Sequence, residues 1–401
     1  MNFLFVHNNF PGQFRNLASE LASQPSNIVK AIGAETSRGI ANVTSHRYRA
    51  PATDGSGVHA FARRFDSECR RAEQVLFVAA DLAASGFRPD FIFVHCGWGE
   101  NLPLRSIFPK SKIIVYCEFY YRQEGQDVHF DPEGSWLGAD GAVGLHCRNA
   151  STVLALVEAD IGLSPTVWQR STYPTEFHRK IKVCHEGIDI QRLQPDDSAE
   201  VLTPSGRRLR KGQEIITFVA RSLEPLRGYH ILMRALPEIM KARPKAEAII
   251  LGGDGSSYGP PAPEGTTWKK LYLDENRKGL DVDRVHFLGL APYDTYLNIL
   301  RISAVHIYLT YPFVLSWSLL EAMAMGCIIV GSDTEPVREA IDSSSGILTP
   351  FLDSSRLAYT VIKVLSNRKS YARLGVQASA VAALRFDKRD RIPHMMQILG
   401  L

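Results

Sequence analysis

The chain has 401 residues, 45% hydrophobic and 22% charged, with a formal net charge of +4. That length exceeds one ordinary core, so two domains are expected, and the composition is that of a globular protein. The charge is too small to argue for nucleic acid, though it suits anionic small ligands, and no apolar run approaches the roughly 20 residues that span a bilayer.

In chain order, the opening "MNFLFVHNNFPGQF" reads as a short strand and a loop. It has no basic n-region and no small-residue cleavage site, so a cytoplasmic location is expected. The apolar runs "NFLFVH" (2–7), "DFIFVHCG" (90–97) and "KIIVYCEF" (112–119) then alternate with helix-length stretches such as "AEQVLFVAADLAAS". Continuous apolar strands are what a parallel sheet buried on both faces requires. Residues 191–213 are polar and lack a core period, so they read as a linker. Alternation restarts with "EIITFVAR" (214–221), "AEAIILGGDG" (246–255), "RVHFLGLA" (284–291), "AVHIYLT" (304–310) and "CIIVGSD" (327–333). The predicted domains are therefore 1–190 and 214–370, each α/β. Residues 371–401 form a helical segment, for which a crossing back to the first domain is one reading. The six cysteines are widely spaced, which suits reduced thiols in a chain without a leader.

Ligands of open parallel sheets bind beyond the carboxyl ends of the strands. In the first domain those ends carry the loop His7 to Gln13, His95 to Trp98, and Glu118 to Tyr121. In the second they carry Arg221 to Gly228, Gly252 to Gly255, Leu290 to Pro292, and the stretch before Glu321. Ser316-Trp317-Ser318 opens a helix that Gly326 closes. Serines at a helix start supply caps, and the N–H groups exposed there suit an anion. Glu321, about one turn in, either accepts hydrogen bonds from ligand hydroxyls or merely favours the helix dipole. Arg221 at a strand end and Arg227 before the next helix suit a diphosphate, as a pair more than singly.

Three motifs together resemble glycosyltransferase family 4, the retaining nucleotide-sugar transferases of GT-B fold. They are "VARSLEPLRG", "KVCHEGIDIQRLQP" and "SLLEAMAMGCIIVGSDTEPVREAI", and the resemblance runs from about residue 180 to 365. The first domain matches mainly in strand order and its Pro11-Gly12 loop. The resemblance implies two Rossmann-like domains facing each other across a cleft, acceptor side first and donor side second. It implies that Glu321 grips the nucleotide ribose. Arg221, with Arg227 where the family has a Lys, would take the diphosphate. Gly12, Gly253, Leu290, Val314, Leu315 and Ser316 would complete the donor site. Eight residues before Glu321, where the family has a second Glu touching the donor sugar, stands Phe313. Sugar contacts are then expected from backbone N–H groups of Val314 to Ser316.

Glu118 stands where many relatives have a His beside the anomeric centre. A carboxylate there can bond the donor sugar or an acceptor hydroxyl; the alternative is a strand-end Glu paired with Arg122. His95 reads as a site residue or as a satisfied structural histidine. The loop 122–136, with Asp127, Asp131 and Glu133, reads as acceptor-facing or simply solvated. "DVD" at 281–283 mimics a metal motif but precedes its strand, so it reads as a turn. "GGDGSSYG" at 252–259 nearly spells a dinucleotide fingerprint but has Tyr258 where its last Gly belongs; the resemblance implies a donor-side loop. The basic runs at 63–71 and 207–211 are candidates for peripheral contact with anionic lipid at the inner membrane face, against the commoner reading of solvated faces.

The implied reaction is metal-independent transfer of a sugar, with retention, from a nucleoside-diphosphate sugar to an acceptor hydroxyl. Cell-surface polysaccharide, lipopolysaccharide or glycosylated-metabolite synthesis are the settings this suggests, with a carbohydrate, lipid-linked or small-molecule acceptor. No cofactor is expected beyond that co-substrate. Two rivals stand beside it: a non-catalytic nucleotide-sugar-binding partner protein, motivated by Phe313 and Arg227, and a sugar-nucleotide epimerase of the same fold.

Overall fold

A computed structural model describes residues 1–49, 56–134 and 136–401. The chain forms two compact units, Met1–Gly187 with Lys388–Leu401, and Ile188–Asp387.

The first unit is built on strands β1 (Asn2–Val6), β2 (Ile28–Ala34), β3 (Thr44–Tyr48), β4 (Phe91–His95), β5 (Lys112–Tyr116), β6 (Ile161–Ser164) and β7 (Ile181–Val183). They form one sheet in the order β3-β2-β1-β4-β5-β6-β7, parallel throughout. Alternate residues of β1 explain its unbroken apolar run. Leu4 and Val6 enter one buried cluster, and Phe3 and Phe5 enter another on the opposite face. β2 carries Lys30, and β3 is a polar edge strand, so neither shows the buried-strand pattern in the sequence.

The second unit begins with an antiparallel ribbon, β8 (Glu200–Leu202) with β9 (Arg208–Arg210). The linker expected over 191–213 is thus folded structure. Val201 and Leu209 pair across the ribbon and bury with Leu193 and Ala199 in the core of this unit. One buried apolar residue per three-residue strand is too little to show as a period. The main sheet holds β10 (Ile215–Ser222), β11 (Glu247–Gly253), β12 (Val285–Gly289), β13 (Val305–Tyr308), β14 (Ile329–Ser332) and β15 (Ile347–Thr349). Its order is β12-β11-β10-β13-β14-β15, again parallel.

The tail is divided between the units. Helix Arg368–Phe386 stays with the second, burying Ala378, Ala382 and Phe386. Helix Lys388–Leu399 belongs to the first, where Ile392, Met395 and Leu399 join the cluster of Phe3 and Phe5. A Cβ on Gly187 would stand 2.5 Å from the Lys388 backbone, so only glycine admits the returning chain there.

The basic runs meet acids close by: Arg64 with Glu68, Arg70 with Asp66, Arg207 with Glu247, Arg208 and Arg210 with Glu200, and Lys211 with Asp197. All six cysteines are free thiols. Among the described residues no helix is long and apolar enough to cross a membrane.

Leu399 is fully buried, so Leu399→Ala should destabilise the first unit by about 2–5 kcal/mol. Urea unfolding read by a probe in that unit checks this. An unchanged midpoint would show that the returning helix adds nothing to its core.

Candidate functional site

Each unit gathers polar side chains at the carboxyl rim of its own sheet. In the first, β1 ends at Val6 and the next residue, His7, turns into the rim. Gly12 lies in the left-handed region (φ 46°), and a Cβ on it would stand 2.8 Å from His7 Nε2. The loop can therefore lie against the imidazole only with glycine there. His7 Nδ1 accepts the Asn9 amide at 2.9 Å, which leaves Nε2–H to donate to Gln13 Oε1 at 2.9 Å. Gln13 Nε2 in turn donates to Glu118 Oε1 at 2.7 Å. Glu118 Oε2 lies 3.3 Å from His95 Nε2, and His95 Nδ1 accepts the Gly97 amide. The His7 and His95 rings meet edge to face at 5.5 Å.

Burial, helped by the neighbouring His95, pushes His7 down to about 3, so the ring is neutral at pH 7. For Glu118, burial pushes upward, but the hydrogen bond and charge of His95, with His7 and Gln13, hold the carboxyl below its ordinary value. Glu118 is thus a carboxylate that accepts from the Gln13 amide and faces the His95 ring. Arg122, its alternative partner from the sequence, donates instead to the Tyr173 carbonyl.

The acceptor candidates separate. Asp131 is buried and its Oδ1 accepts the Glu133 amide, an intraloop turn, while the Glu133 side chain is exposed. Burial pushes Asp127 up to about 6, with Arg148 opposing.

In the second unit, Arg227 is only 8% exposed. Its Nη1 donates to Thr310 Oγ1 at 2.9 Å and to the Val314 carbonyl at 3.1 Å. The guanidinium lies 5.7 Å from the ring centres of both Tyr258 and Phe313. Phe313 is thus a buried packing residue, not a rim group. Arg221 is exposed at the end of β10. Gly253 closes β11, and Leu290, just after β12, is 78% exposed. Leu315 is buried. Ser316 Oγ caps the helix Trp317–Ala324 by accepting the Ser318 amide. The Ser316 amide itself donates to Tyr308 Oη at 2.9 Å, so of the three amides expected to meet a sugar this one is already engaged.

In the glycine-rich loop at 252–259, the last three amides are engaged within the protein. Ser257, Tyr258 and Gly259 donate theirs to the buried Glu224 carboxylate, joined by Ser257 Oγ at 2.7 Å. Asp281 pairs with Arg284 at 2.7 Å in the turn before β12, at the amino end of the sheet.

Sequence reasoning missed Tyr293 and Tyr296, whose hydroxyls donate to Glu321 Oε1 at 2.7 Å and Oε2 at 2.5 Å. The visible signal was a Tyr-x-x-Tyr spacing at a helix start, where residues three apart share a face.

Two parallel-sheet Rossmann-like units with polar carboxyl rims define the GT-B architecture. Residues 25–193 match the glycosyl transferase family 4 group, and residues 204–381 match glycosyl transferases group 1. The chain belongs to the family 4 glycosyltransferases of GT-B fold. A D-inositol 3-phosphate glycosyltransferase of Corynebacterium jeikeium is 26% identical over 208 residues, 51% of this chain and 48% of that protein. The chain thus spans about half the length of that curated relative. Among solved structures, Anabaena Alr3699/HepE in complex with UDP superposes with a TM-score of 0.69 at 16% identity, covering all of both chains. Sucrose-phosphate synthase from Thermosynechococcus elongatus gives 0.72 at 15% identity, over 99% of this chain and 98% of that one. At such identities these two structures speak for the fold alone.

The buried His7 makes a pH prediction. An unfolded imidazole takes up a proton below pH 6.5, whereas the folded one stays neutral to about 3. Its stabilising contribution is therefore complete above pH 6.5 and is lost as pH falls toward 3. In histidine-labelled NMR, the signal absent from a His7→Gln variant should not titrate between pH 8 and 5. A midpoint near 6.5 would contradict its burial.

Proposed function

We propose that this chain transfers a sugar, with retention and without a metal ion, from a nucleoside-diphosphate sugar to an acceptor hydroxyl. The observation that carries this reading is Arg227, fixed by Thr310, Val314 and two aromatic rings at the entrance to the Ser316-capped helix that holds Glu321. A guanidinium has five donors, more than these partners use, and its fork suits phosphate oxygens. Arg221 would add a second cation, Glu321 the ribose contact, and Gly253 and Leu290 the surrounding donor surface. Alr3699/HepE was solved with UDP and with UDP-glucose, which supports a nucleotide-sugar donor for the same fold here.

On this reading the acceptor oxygen attacks the anomeric carbon on the face from which the diphosphate departs. The carbon–oxygen bond to the diphosphate breaks as the new one forms, and the acceptor proton passes to a diphosphate oxygen. The protein holds the reactants and neutralises charge growing on the leaving group, through Arg227, Arg221 and helix N–H groups. Glu118, held by Gln13 beside the His95 ring, and Asp127 are the groups of the first unit suited to hydroxyls of sugar or acceptor.

Purified protein should release nucleoside diphosphate from one of a panel of UDP-, GDP- and ADP-sugars in the presence of acceptor. No release, or isomerisation of the sugar without acceptor, would point to the binding-protein or epimerase reading. Arg227→Ala should lower turnover more than donor binding, because its charge acts most on the transition state. Arg227→Lys should restore much of the rate, and an Ala variant equal to wild type would remove this arginine from the site.

Transfer should also proceed undiminished in EDTA. Growing diphosphate charge needs either a divalent ion or fixed cations and N–H groups. The carboxylate pair Asp281 and Asp283 lies at the amino end of its strand, so Asp281→Ala with Asp283→Ala should leave the rate unchanged. A rate that collapses with EDTA and returns with Mg²⁺ or Mn²⁺ would overturn metal independence.

A further inference from the structure

Glu321 is held from a neighbouring helix. Tyr293 and Tyr296 lie in the first turn of helix Tyr293–Arg301, three residues apart and therefore on one face. One hydroxyl serves each carboxylate oxygen, at 2.7 and 2.5 Å, within the range of charge-assisted O–H···O⁻ bonds. Burial, with the Glu321 charge, raises both phenols, so each remains a donor across the working pH range. Tyr296 is nearly buried at 7% exposure, and Tyr293 is 42% exposed. The Tyr293 ring is itself braced: the Arg192 guanidinium lies 4.7 Å over it and pairs with Asp294 at 2.7 Å.

A glutamate side chain on a helix surface samples several rotamers. Two donors on different oxygens leave it one, because both the carboxylate position and its plane are then set. A ligand diol meeting this group would find it already ordered, and so would lose less affinity to ordering.

We propose that Tyr293 and Tyr296 are positioning residues for the nucleotide, holding the Glu321 carboxylate in the plane that receives the two ribose hydroxyls. This inference rests on the ribose reading of Glu321. It adds that ribose affinity depends on two side chains that need not touch the ligand.

The test is a binding cycle on the full chain by calorimetry. The probes are UDP, GDP and ADP, and then the 2′,3′-dideoxy form of whichever binds most tightly. Glu321→Gln, Tyr293→Phe and Tyr296→Phe are compared singly, together with Tyr293→Phe in the Glu321→Gln background. Each tyrosine change should raise Kd for the ribonucleotide about three- to tenfold, the range expected when one side chain loses its prior order. The same changes should leave the dideoxy form unaffected, and Tyr293→Phe should have no further effect once Glu321 is Gln. Wild-type affinity in the tyrosine variants, with weakened binding in Glu321→Gln, would overturn the inference and leave the ribose reading standing. Equal losses for ribo and dideoxy forms would make the tyrosines packing residues and also overturn it. If Glu321→Gln binds as wild type, or if none of the three nucleotides binds wild type, the ribose reading falls and the inference with it. Should the buried Tyr296→Phe fail to fold, the half-exposed Tyr293→Phe carries every arm of the comparison.

Discussion

A parallel sheet covered on both faces has no room for an ionised side chain along its strands. The cost of burying an unpaired charge confines such groups to strand ends, where backbone and solvent can receive them. The central strands of both units follow this, whereas β2, next to the edge, carries Lys30. In β1, Phe5 stacks on Phe93 of β4 at 4.8 Å while Val6 fills the opposite face, and the first polar group after it is His7. His95 and Arg221 stand at the ends of β4 and β10, and Glu118 and Arg227 just after β5 and β10. The chemistry of this chain is concentrated at its rims because the sheets exclude it elsewhere.

Within the second rim, two glutamates are distinguished by what holds them. Glu224 is buried and accepts three backbone amides and a serine hydroxyl from residues 257–259. Amides of one loop fix that loop to the strand end, so Glu224 is a fastener for the glycine-rich turn. Glu321 is only half-buried and is held by two side-chain hydroxyls from another helix. A carboxylate so held stays at the surface in a defined orientation, which is the condition for recognising a diol.

The depth to which the sequence could be read follows from the range of each interaction. β1, β4, β5, β10, β11, β13 and β14 stand out because burial on both faces writes a continuous apolar run. β3 and the ribbon of β8 and β9 do not, because edge and solvent-facing positions take charged residues such as Arg208 and Arg210. Glu118 and His95 were legible as strand-end residues, and Arg227 and Glu321 as parts of the segments that follow strands, which is local information. Their partners were not. Gln13 reaches Glu118 across 105 residues, and Tyr293 and Tyr296 reach Glu321 across 28 and 25, contacts that only the folded topology creates. A return of the tail to the first domain was one reading of the sequence, but the point of division was not legible, since the helices Arg368–Phe386 and Lys388–Leu399 are told apart by the core each one enters.

Phe313 shows how a departure from the family pattern can be accommodated by the same physics. A glutamate at this position, beside a guanidinium that is 8% exposed, would pair with it and cancel much of its charge. The phenylalanine ring, with Tyr258 beyond it at 5.0 Å, instead fixes the plane of Arg227 through its π-face and leaves the charge in place. Thr310 and Val314 accept from Nη1 as neutral oxygens, so they too orient the group without neutralising it. Among the described residues Arg227 has no carboxylate partner within ion-pair distance. A cation that is immobilised but not neutralised is what a diphosphate leaving group requires. The substitution at 313 therefore removes a hydroxyl-binding acid while strengthening the case for Arg227 as the anion-binding centre of the rim.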